Sequence, residues 1–459
     1  MSAVSASPTA SGSVLDPVRA LQHALYRAAK ADPGRRFHTL SDKVYRRDVL
    51  ERAWVMVRRN GGAAGIDRIT IADVEEYGVS RLLDEVAADL REGRWRPSPA
   101  RRVFIPKPGN KAEQRPLSIP TVADRVVQSA VKIVLEPIFE ADMLPCSFGF
   151  RPRRGAHDAL QVLIDESWRG RRWVVETDIA NCFEAIPHPQ LISAVQERVS
   201  DQSMLNLLRV MLRAGVMSDG QIRRPVTGAP QGGVCSPLLA NVYLHRLDRA
   251  WDARRHGVLV RYADDAIVMC TSRAQAEAAL AQLRHLLAEL GLEPKAAKTR
   301  IVEMAVGGEG FDFLGFHHRL VKSDGRRTGK HITFLARWPA TKAMQRVRDR
   351  IRELTDRRRL LIPIVVMVAE INQVIRGWAA YFRYGNSTQL FEKIVSYARM
   401  RMAIVVSKRH KRSRAWGRSV VFFRSSNYLG LVSLHGIVAA PRPFRAWRVT
   451  PNAGGERRR

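Results

Sequence analysis

Residues 258–269 read VLVRYADDAIVM, and two adjacent carboxylates, Asp264 and Asp265, stand between two short apolar runs. Apolar runs on both sides of a polar turn predict two paired strands of a hairpin. Neighbouring carboxylates repel each other and resist burial, so a half-buried pair needs a cation or strong hydrogen-bond donors. The alternative is that Asp is simply a good turn residue, and this stretch alone favours that alternative.

A third carboxylate follows another apolar strand. Residues 173–179, WVVETDI, predict a strand that ends on Asp178, so this acid stands on a stiff element. Between this strand and the hairpin, residues 227–237, TGAPQGGVCSP, form a Gly/Pro-rich loop that runs into an apolar helix. A loop that opens a helix offers free backbone N–H groups to an anion. Strands and helices alternate here, which indicates a sheet backed by helices.

Two cations are expected on a separate hairpin. Residues 101–107 and 115–120 predict strands on either side of a polar turn, with Lys107 and Arg115 on neighbouring strands. Such a pair can clamp a triphosphate, because Arg forms bidentate bonds and Lys acts as a point charge. Ordinary solvated surface charge explains this stretch equally well.

The overall charge indicates a polyanionic partner. The chain has 459 residues, and its 76 Lys and Arg against 44 Asp and Glu give a net charge of +32. An excess of this size favours nucleic acid over other partners. A membrane surface is the competing partner, but the longest apolar run, residues 360–369, is far too short to span a bilayer. We therefore expect no membrane contact.

Two basic segments are candidates for RNA contact. Residues 147–154, SFGFRPRR, interleave aromatic rings with Arg151, Arg153 and Arg154, a pattern that suits stacking on bases and contacts with phosphates. Packing of the two Phe side chains in a core is an equal alternative. No acidic residue occurs between Glu392 and Glu456. A stretch with only positive charges is typical of a segment that binds a phosphate backbone. Its densest run contributes Lys408, Arg409, Lys411, Arg412 and Arg414.

The cysteines suggest the compartment. Cys146, Cys182, Cys235 and Cys270 are far apart, with no Cys-x-x-Cys pair and none after Cys270. This spacing excludes an obvious zinc knuckle or disulfide framework and suits a reducing cytoplasm, which is the expected location.

Three carboxylates, two cations and a glycine-rich loop form a consistent set for nucleotidyl transfer. That reaction needs divalent metal to hold a triphosphate and to lower the pKa of the attacking 3′-hydroxyl, and Mg²⁺ requires hard oxygen ligands. We expect Asp178 and Asp264 to bridge two such ions. Asp265 is the less certain member of the set and can act as a supporting charge.

On these motifs the sequence resembles the reverse transcriptase/maturase proteins encoded by bacterial group II introns, from about residue 42 to residue 419. The resemblance implies that Asp178, Asp264 and Asp265 are the catalytic aspartates and that Ile179 joins them at the metal site. Tyr262 opens the Tyr-x-Asp-Asp hairpin of the family. The expected metal is Mg²⁺, with two ions, and Mn²⁺ is the alternative.

The same resemblance assigns the substrate-binding residues. Lys107, Arg115, Phe183 and Gln231 correspond to the nucleotide-binding residues, and Phe183 stacks under the incoming sugar and rejects its 2′-hydroxyl. Residues Leu314, Gly315 and Phe316 correspond to the primer grip. Deoxynucleotides are therefore the expected substrates.

The implied fold is α+β, a right-hand polymerase with fingers and palm, an antiparallel sheet backed by helices, followed by an all-helical thumb or maturase domain. The expected domains are a flexible N-terminal tail (1–40), fingers and palm (41–335), thumb/maturase (336–420) and a basic C-terminal tail that contacts DNA (421–459). Many relatives end in a nuclease domain with paired cysteines. The absence of cysteine after Cys270 implies a form without that domain.

The implied function is that of an RNA-directed DNA polymerase that extends a DNA primer on an RNA template and assists splicing and mobility of its host intron. Its expected partners are the group II intron RNA, an RNA template and DNA primer, dNTPs and a DNA target, and the chain can be a monomer or a homodimer. Two alternatives stay open: a domesticated reverse transcriptase of a defence system, and an RNA-binding splicing factor without polymerase activity.

Overall fold

The structure is a computed structural model that describes residues 16–107, 110–218, 221–223, 227–228, 232–324, 331–423 and 429–443. Its strands, in chain order, are β1 (Ala100–Lys107), β2 (Asn110–Ile119), β3 (Trp173–Asp178), β4 (Val216–Ser218), β5 (Gln221–Arg223), β6 (Val258–Tyr262), β7 (Asp265–Cys270), β8 (Arg300–Glu303), β9 (Phe311–Phe313), β10 (Phe316–Asp324) and β11 (His331–Pro339).

The helices, in chain order, are α1 (Pro17–Ala31), α2 (Ser41–Val44), α3 (Arg47–Asn60), α4 (Ile71–Tyr77), α5 (Val79–Arg91), α6 (Val122–Glu140), α7 (Ala156–Trp168), α8 (Cys182–Ala185), α9 (His188–Gln196), α10 (Gln202–Leu212), α11 (Ser236–Ala250), α12 (Ala253–His256), α13 (Arg273–Glu289), α14 (Thr341–Leu354), α15 (Ile364–Phe382), α16 (Thr388–Arg409) and α17 (Arg414–Arg418). Within the described ranges, none of them is long and apolar enough to cross a membrane.

The aspartates lie on a four-stranded sheet with the order β6-β7-β3-β8. All three pairings in this sheet are antiparallel. Strands β6 and β7 form the predicted hairpin, in which Tyr262 pairs with Asp265 across a two-residue turn. On the other side of β7, Asp265 lies opposite Asp178 of β3. The register therefore brings the two acidic sites together at one end of the sheet.

Strand β7 is apolar throughout because both faces of the sheet are covered. Successive side chains of a strand point to opposite faces. Ala266 and Val268 accordingly pack in one core, while Ile267 and Met269 pack in the other. A strand buried on both faces reads as a continuous hydrophobic run, which is the pattern that the sequence shows.

The first core joins the sheet to helices α1, α3, α6, α9, α10, α11 and α13. Two of these helices begin at side-chain caps: the Thr121 hydroxyl accepts a hydrogen bond from the Asp124 N–H at 3.1 Å, and the Ser272 hydroxyl accepts one from the Gln275 N–H at 3.2 Å. Side-chain caps of this kind satisfy N–H groups that a helix leaves unpaired at its first turn.

The second core joins the opposite face of the sheet to α7, to strands β9, β10 and β11, and to helices α14, α15 and α16. The helical region is therefore packed directly on the sheet rather than connected to it by a linker. A separate sheet with the order β2-β1-β4-β5 carries the long β1–β2 hairpin. The mixed, largely antiparallel fold with a helical region after it confirms the predicted fold class.

Three of the predicted domain ranges need correction. Residues 1–40 were expected to form a flexible tail, yet α1 lies within them, is capped by Asp16 and buries Val18 and Leu25. Its apolar stripe docks on the first core, which a composition rich in Ala and Ser does not reveal. Strand β11 continues to Pro339, inside the range expected to be helical. Part of the predicted C-terminal tail is packed as well, because Leu431 and Leu434 are buried in the second core.

Candidate active site

The turn between β6 and β7 consists of Ala263 and Asp264. Ala263 has φ 57°, in the left-handed region. Two-residue hairpin turns require such angles and usually place glycine or asparagine there. An L-residue with a Cβ is disfavoured in this region by roughly 1–2 kcal/mol. The turn is therefore held in a conformation that alanine does not adopt readily by itself.

Three carboxylates crowd around this turn. Asp178 and Asp265 face each other across the β3–β7 pair, and the Ile179 N–H donates to the backbone oxygen of Asp264 at 3.1 Å. Burial, with the charges of Asp178 and Asp264, raises the pKa of Asp265 to about 7. Burial and the charge of Asp178 also raise the pKa of Asp264. The site therefore concentrates negative charge that a cation would relieve.

Lys298 supplies a cation that the sequence analysis missed. Its Nζ donates to Asp178 Oδ2 at 2.6 Å, and the backbone N–H of Lys295 donates to the Asp178 carbonyl at 2.7 Å. Partial burial lowers the pKa of Lys298, but the hydrogen bond to Asp178 and the nearby aspartates outweigh this effect and raise it. Lys298 lies just before β8, which pairs with β3. Only that strand order brings it to the site.

The donor set fits a divalent cation. Asp178 and Asp264 offer hard carboxylate oxygens, the ligand type that Mg²⁺ prefers, and the backbone of Ile179 lies directly beside them. Across the part of the chain that the structure describes, no group of three or more His, Cys, Asp or Glu side chains is arranged to hold a metal ion by itself.

Phe183 lies in the short helix α8, five residues after Asp178. Its side chain is half-buried and packs against the first core. Gly228 packs so closely on this helix that a Cβ there would come within 2.7 Å of the Glu184 Cα. A Cβ on Gly232 would come within 2.3 Å of the Ser118 carbonyl oxygen of β2. These glycines let the loop backbone contact both α8 and the β1–β2 hairpin.

The predicted triphosphate cations lie on the β1–β2 hairpin as expected. Arg115 pairs with Ile105 across the strands and is exposed, and its charge lowers the pKa of Asp264 against the larger effect of burial. The hairpin is therefore close enough for Arg115 to act on the aspartates electrostatically. The side chain of Lys107, and Gln231 as a whole, lie outside the described residues.

The predicted primer grip forms the turn between β9 and β10. Leu314 and Gly315 both have positive φ, 49° and 79°, and the Tyr381 hydroxyl of α15 donates to the Leu314 carbonyl at 2.8 Å. The ring of Phe316 packs against Phe382 of the same helix, with 4.8 Å between centroids. Helix α15 thus fixes the conformation of this turn.

The prediction that Arg151 contacts RNA is wrong. Arg151 is buried, and its guanidinium donates to both carboxylate oxygens of Glu140, at 2.9 and 2.7 Å, and to the carbonyls of Leu144 and Ser147, both at 2.7 Å. These bonds commit the side chain to holding its own loop. Arg153, two residues further along the same motif, is exposed.

The other predicted RNA contacts are at least partly accessible. Arg154 is half-buried and lies over the Phe148 ring, with 5.2 Å from its guanidinium carbon to the ring centroid. The basic run at the end of α16 and the start of α17 is exposed at Lys408, Arg409, Lys411, Arg412 and Arg414. This run forms a strongly positive edge of the helical region.

The site combines an antiparallel sheet that carries paired aspartates with a hairpin that presents a cation to them. A helical region packs on the other face of the same sheet. Together these features define the class as a right-hand nucleic-acid polymerase. Two family comparisons agree. Residues 105–318 match the family described as reverse transcriptase (RNA-dependent DNA polymerase), and residues 344–421 match the group II intron, maturase-specific domain.

Individual relatives point the same way. The group II intron-encoded protein LtrA of Lactococcus lactis subsp. cremoris is 38% identical over 215 residues, which cover 46% of this chain and 35% of LtrA. Protein YkfC of Escherichia coli (strain K12) is 32% identical over 349 residues, which cover 67% of this chain and 89% of YkfC. The nuclear intron maturase 4, mitochondrial, of Arabidopsis thaliana is 30% identical over 215 residues, 46% of this chain and 25% of that protein.

The chain belongs to the group II intron reverse transcriptase/maturase family, as the sequence motifs predicted. The chain spans about a third of the length of LtrA, 35% of that protein.

Proposed function

We propose that the protein is an RNA-directed DNA polymerase encoded by a group II intron, and that it also assists the splicing and mobility of that intron. The observation that carries the proposal is the register that sets Asp178 opposite Asp265, beside the turn that bears Asp264. The match of residues 344–421 to the maturase-specific domain supports the splicing role over a domesticated defence role.

Asp178 and Asp264, with the backbone of Ile179, would hold two Mg²⁺ ions, or Mn²⁺ as the alternative. When bound, such ions lower the pKa of the primer 3′-hydroxyl and neutralise charge on the triphosphate. Asp265 would act as a supporting charge beside Asp178. Lys298 would orient Asp178 through its hydrogen bond.

The incoming dNTP would lie between the β1–β2 hairpin and α8. Lys107 and Arg115 would bind its triphosphate, and Gln231 would contact it in the nucleotide pocket. The half-buried ring of Phe183 would exclude a 2′-hydroxyl. Residues Leu314, Gly315 and Phe316 would grip the primer, a role that the anchoring bond from Tyr381 supports.

The exposed cations would bind nucleic acid. Arg153, Arg154 and the basic run from Lys408 to Arg414 would contact the phosphates of the intron RNA, and residues after 421 the DNA target. Because all four cysteines are free thiols, a reducing cytoplasm is the location that we propose.

The test is primer extension on a generic RNA template with Mg²⁺, comparing wild type with Asp264→Asn. The amide keeps the size of the side chain and removes the charge, so we expect synthesis to fall by more than about 100-fold while RNA affinity stays the same. Asp349→Asn, a half-buried position on α14, is the matched control and should retain full activity. Synthesis by Asp264→Asn at the wild-type rate would refute the metal-site assignment.

A second measurement tests the alternative that the protein is an RNA-binding splicing factor without polymerase activity. Wild-type protein that binds intron RNA and promotes splicing without extending a primer would replace the polymerase proposal with that alternative.

A further inference from the structure

A completely buried ion pair lies directly beneath the candidate catalytic turn. Arg261 of β6 donates from Nε and Nη2 to the two carboxylate oxygens of Asp248 on α11, at 2.8 and 2.6 Å. Both side chains have 0% exposure. The proposed chemistry uses neither of them.

Stability gives no sufficient reason for such a pair. Removing two charges from water costs several kcal/mol per ion, and well-packed apolar residues of similar volume often replace a buried pair with no loss of stability. An arginine in this position is therefore better explained by what its other donors hold in place.

The remaining donors of Arg261 converge on the turn and its surroundings. Nη1 donates to the Ala263 carbonyl at 3.0 Å and to Asn241 Oδ1 at 3.1 Å, and Nη2 donates to Ser147 Oγ at 2.8 Å. One rigid guanidinium thus connects helix α11, the segment at Ser147 and the residue with the unfavourable left-handed φ. A planar fork with five fixed donors can set this geometry, and a lysine ammonium cannot.

The segment 146–149 completes a cradle around the turn. It runs along β6, with the Arg261 N–H donating to the Cys146 carbonyl at 2.8 Å and the Phe148 N–H donating to the Arg261 carbonyl at 2.9 Å. The Asn241 amide donates to the Gly149 carbonyl at 2.8 Å. Asn241, which accepts a hydrogen bond from Arg261, is therefore itself fixed to this segment.

We infer that Arg261, oriented by Asp248, is a positioning residue for polymerisation: it holds Ala263 in the left-handed conformation that directs Asp264 toward Asp178. This inference rests on the proposed function and adds the device that aims its central carboxylate. Arg261 contacts neither substrate nor metal and acts through the turn alone.

The decisive variant removes both charges together. Arg261→Met combined with Asp248→Leu fills the site with apolar side chains but leaves the acceptors on Ala263, Asn241 and Ser147 without the guanidinium, so the thermal midpoint should fall, as in the control variant below. We expect kcat to fall by about 100-fold, the loss typical of a 1 Å misplacement of a catalytic group, with the KM for dNTP and the affinity for primer–template unchanged. The half-saturating Mg²⁺ concentration should rise, because Asp264 no longer faces Asp178.

A readout without catalysis accompanies the kinetics. The Ile179 amide donates to the backbone oxygen of Asp264, so its hydrogen exchange should become faster in the double variant than in the destabilised control variant described below. The single variant Arg261→Lys keeps the charge but not the fork, and we expect it not to restore kcat.

The matched control is a second ion pair that does not contact the turn, Arg198 with Asp142, at 3.3 Å; Arg198 is buried and Asp142 is half-buried. Arg198→Met with Asp142→Leu should lower the thermal midpoint, because Arg198 also holds the Ala29 carbonyl of α1 at 2.8 Å. Its kcat should equal that of wild type.

A double variant with wild-type kcat and unchanged exchange at Ile179 overturns the inference. If the double variant does not fold, Arg261→Lys decides: it keeps a positive charge beside Asp248 but lacks the fork that reaches the Ala263 carbonyl. Lower kcat at unchanged KM in that variant supports the positioning role, and wild-type kcat overturns it. Wild-type protein that fails to extend a primer would refute the proposed function instead, and the exchange at Ile179 would still test the role of Arg261.

Discussion

Replacing Gly149 by alanine should move the candidate catalytic turn. A Cβ at this position would lie 2.5 Å from the Ala263 nitrogen and 3.0 Å from the Tyr262 carbonyl carbon. Both are backbone atoms, so no flexible side-chain tip can yield. An ordinary van der Waals contact between a Cβ and this nitrogen begins at 3.4 Å. The backbone at position 149 and the backbone of the turn would therefore have to separate by about 0.9 Å.

The size of the effect follows from that displacement. Misplacing a catalytic group by about 1 Å costs roughly 100-fold in rate, and forcing one extra methyl group into a packed site costs about 1–3 kcal/mol of stability. We therefore expect Gly149→Ala to fold, with a lowered thermal midpoint, and to extend a primer about 100-fold more slowly than wild type.

The assay is single-turnover primer extension on an RNA template at saturating dNTP and Mg²⁺, which separates chemistry from product release. Gly377→Ala is the control, because a Cβ at that position in α15 meets no atom within 4 Å. Alanine should stabilise the helix there by about 0.5–1 kcal/mol and leave the rate unchanged. A wild-type rate for Gly149→Ala would refute the conclusion that segment 146–149 braces the turn.

Three further outcomes are expected. In metal-free protein, the pKa of Asp265 is 3.8 in the unfolded chain and about 7 in the folded one, so the free energy of unfolding falls as pH rises between these values. Asp265→Asn should therefore raise the thermal midpoint in EDTA far more at about pH 8 than at about pH 4. Equal shifts at the two pH values would contradict this. Lys298→Met removes the cation beside Asp178 and should lower the half-saturating Mn²⁺ concentration in direct titrations; an unchanged value would show that Lys298 does not compete with metal. Arg151→Met should cost roughly 3 kcal/mol of stability without changing RNA affinity. Arg153→Met should weaken RNA binding and reduce the slope of log affinity against log salt concentration by about 1. The reverse pattern would restore Arg151 as an RNA contact.

The sequence by itself determined the elements that depend on local pattern. The apolar runs on either side of Asp264 predicted the hairpin, and the run that ends on Asp178 predicted the strand that the structure pairs with it. The Tyr-x-Asp-Asp motif also carried the resemblance to the family, which the comparisons confirm.

Only the tertiary structure decided what the surrounding basic residues do. Arg151 and Arg153 stand two positions apart in one basic motif, yet one is buried against Glu140 and the other is exposed. Lys298 reaches Asp178 from 120 positions away along the chain, and Arg261 joins α11 to the turn. A charged side chain takes its role from the partners that strand order and packing bring to it, and those partners are distant in sequence. Local pattern therefore located the carboxylates, and long-range packing determined how they are held.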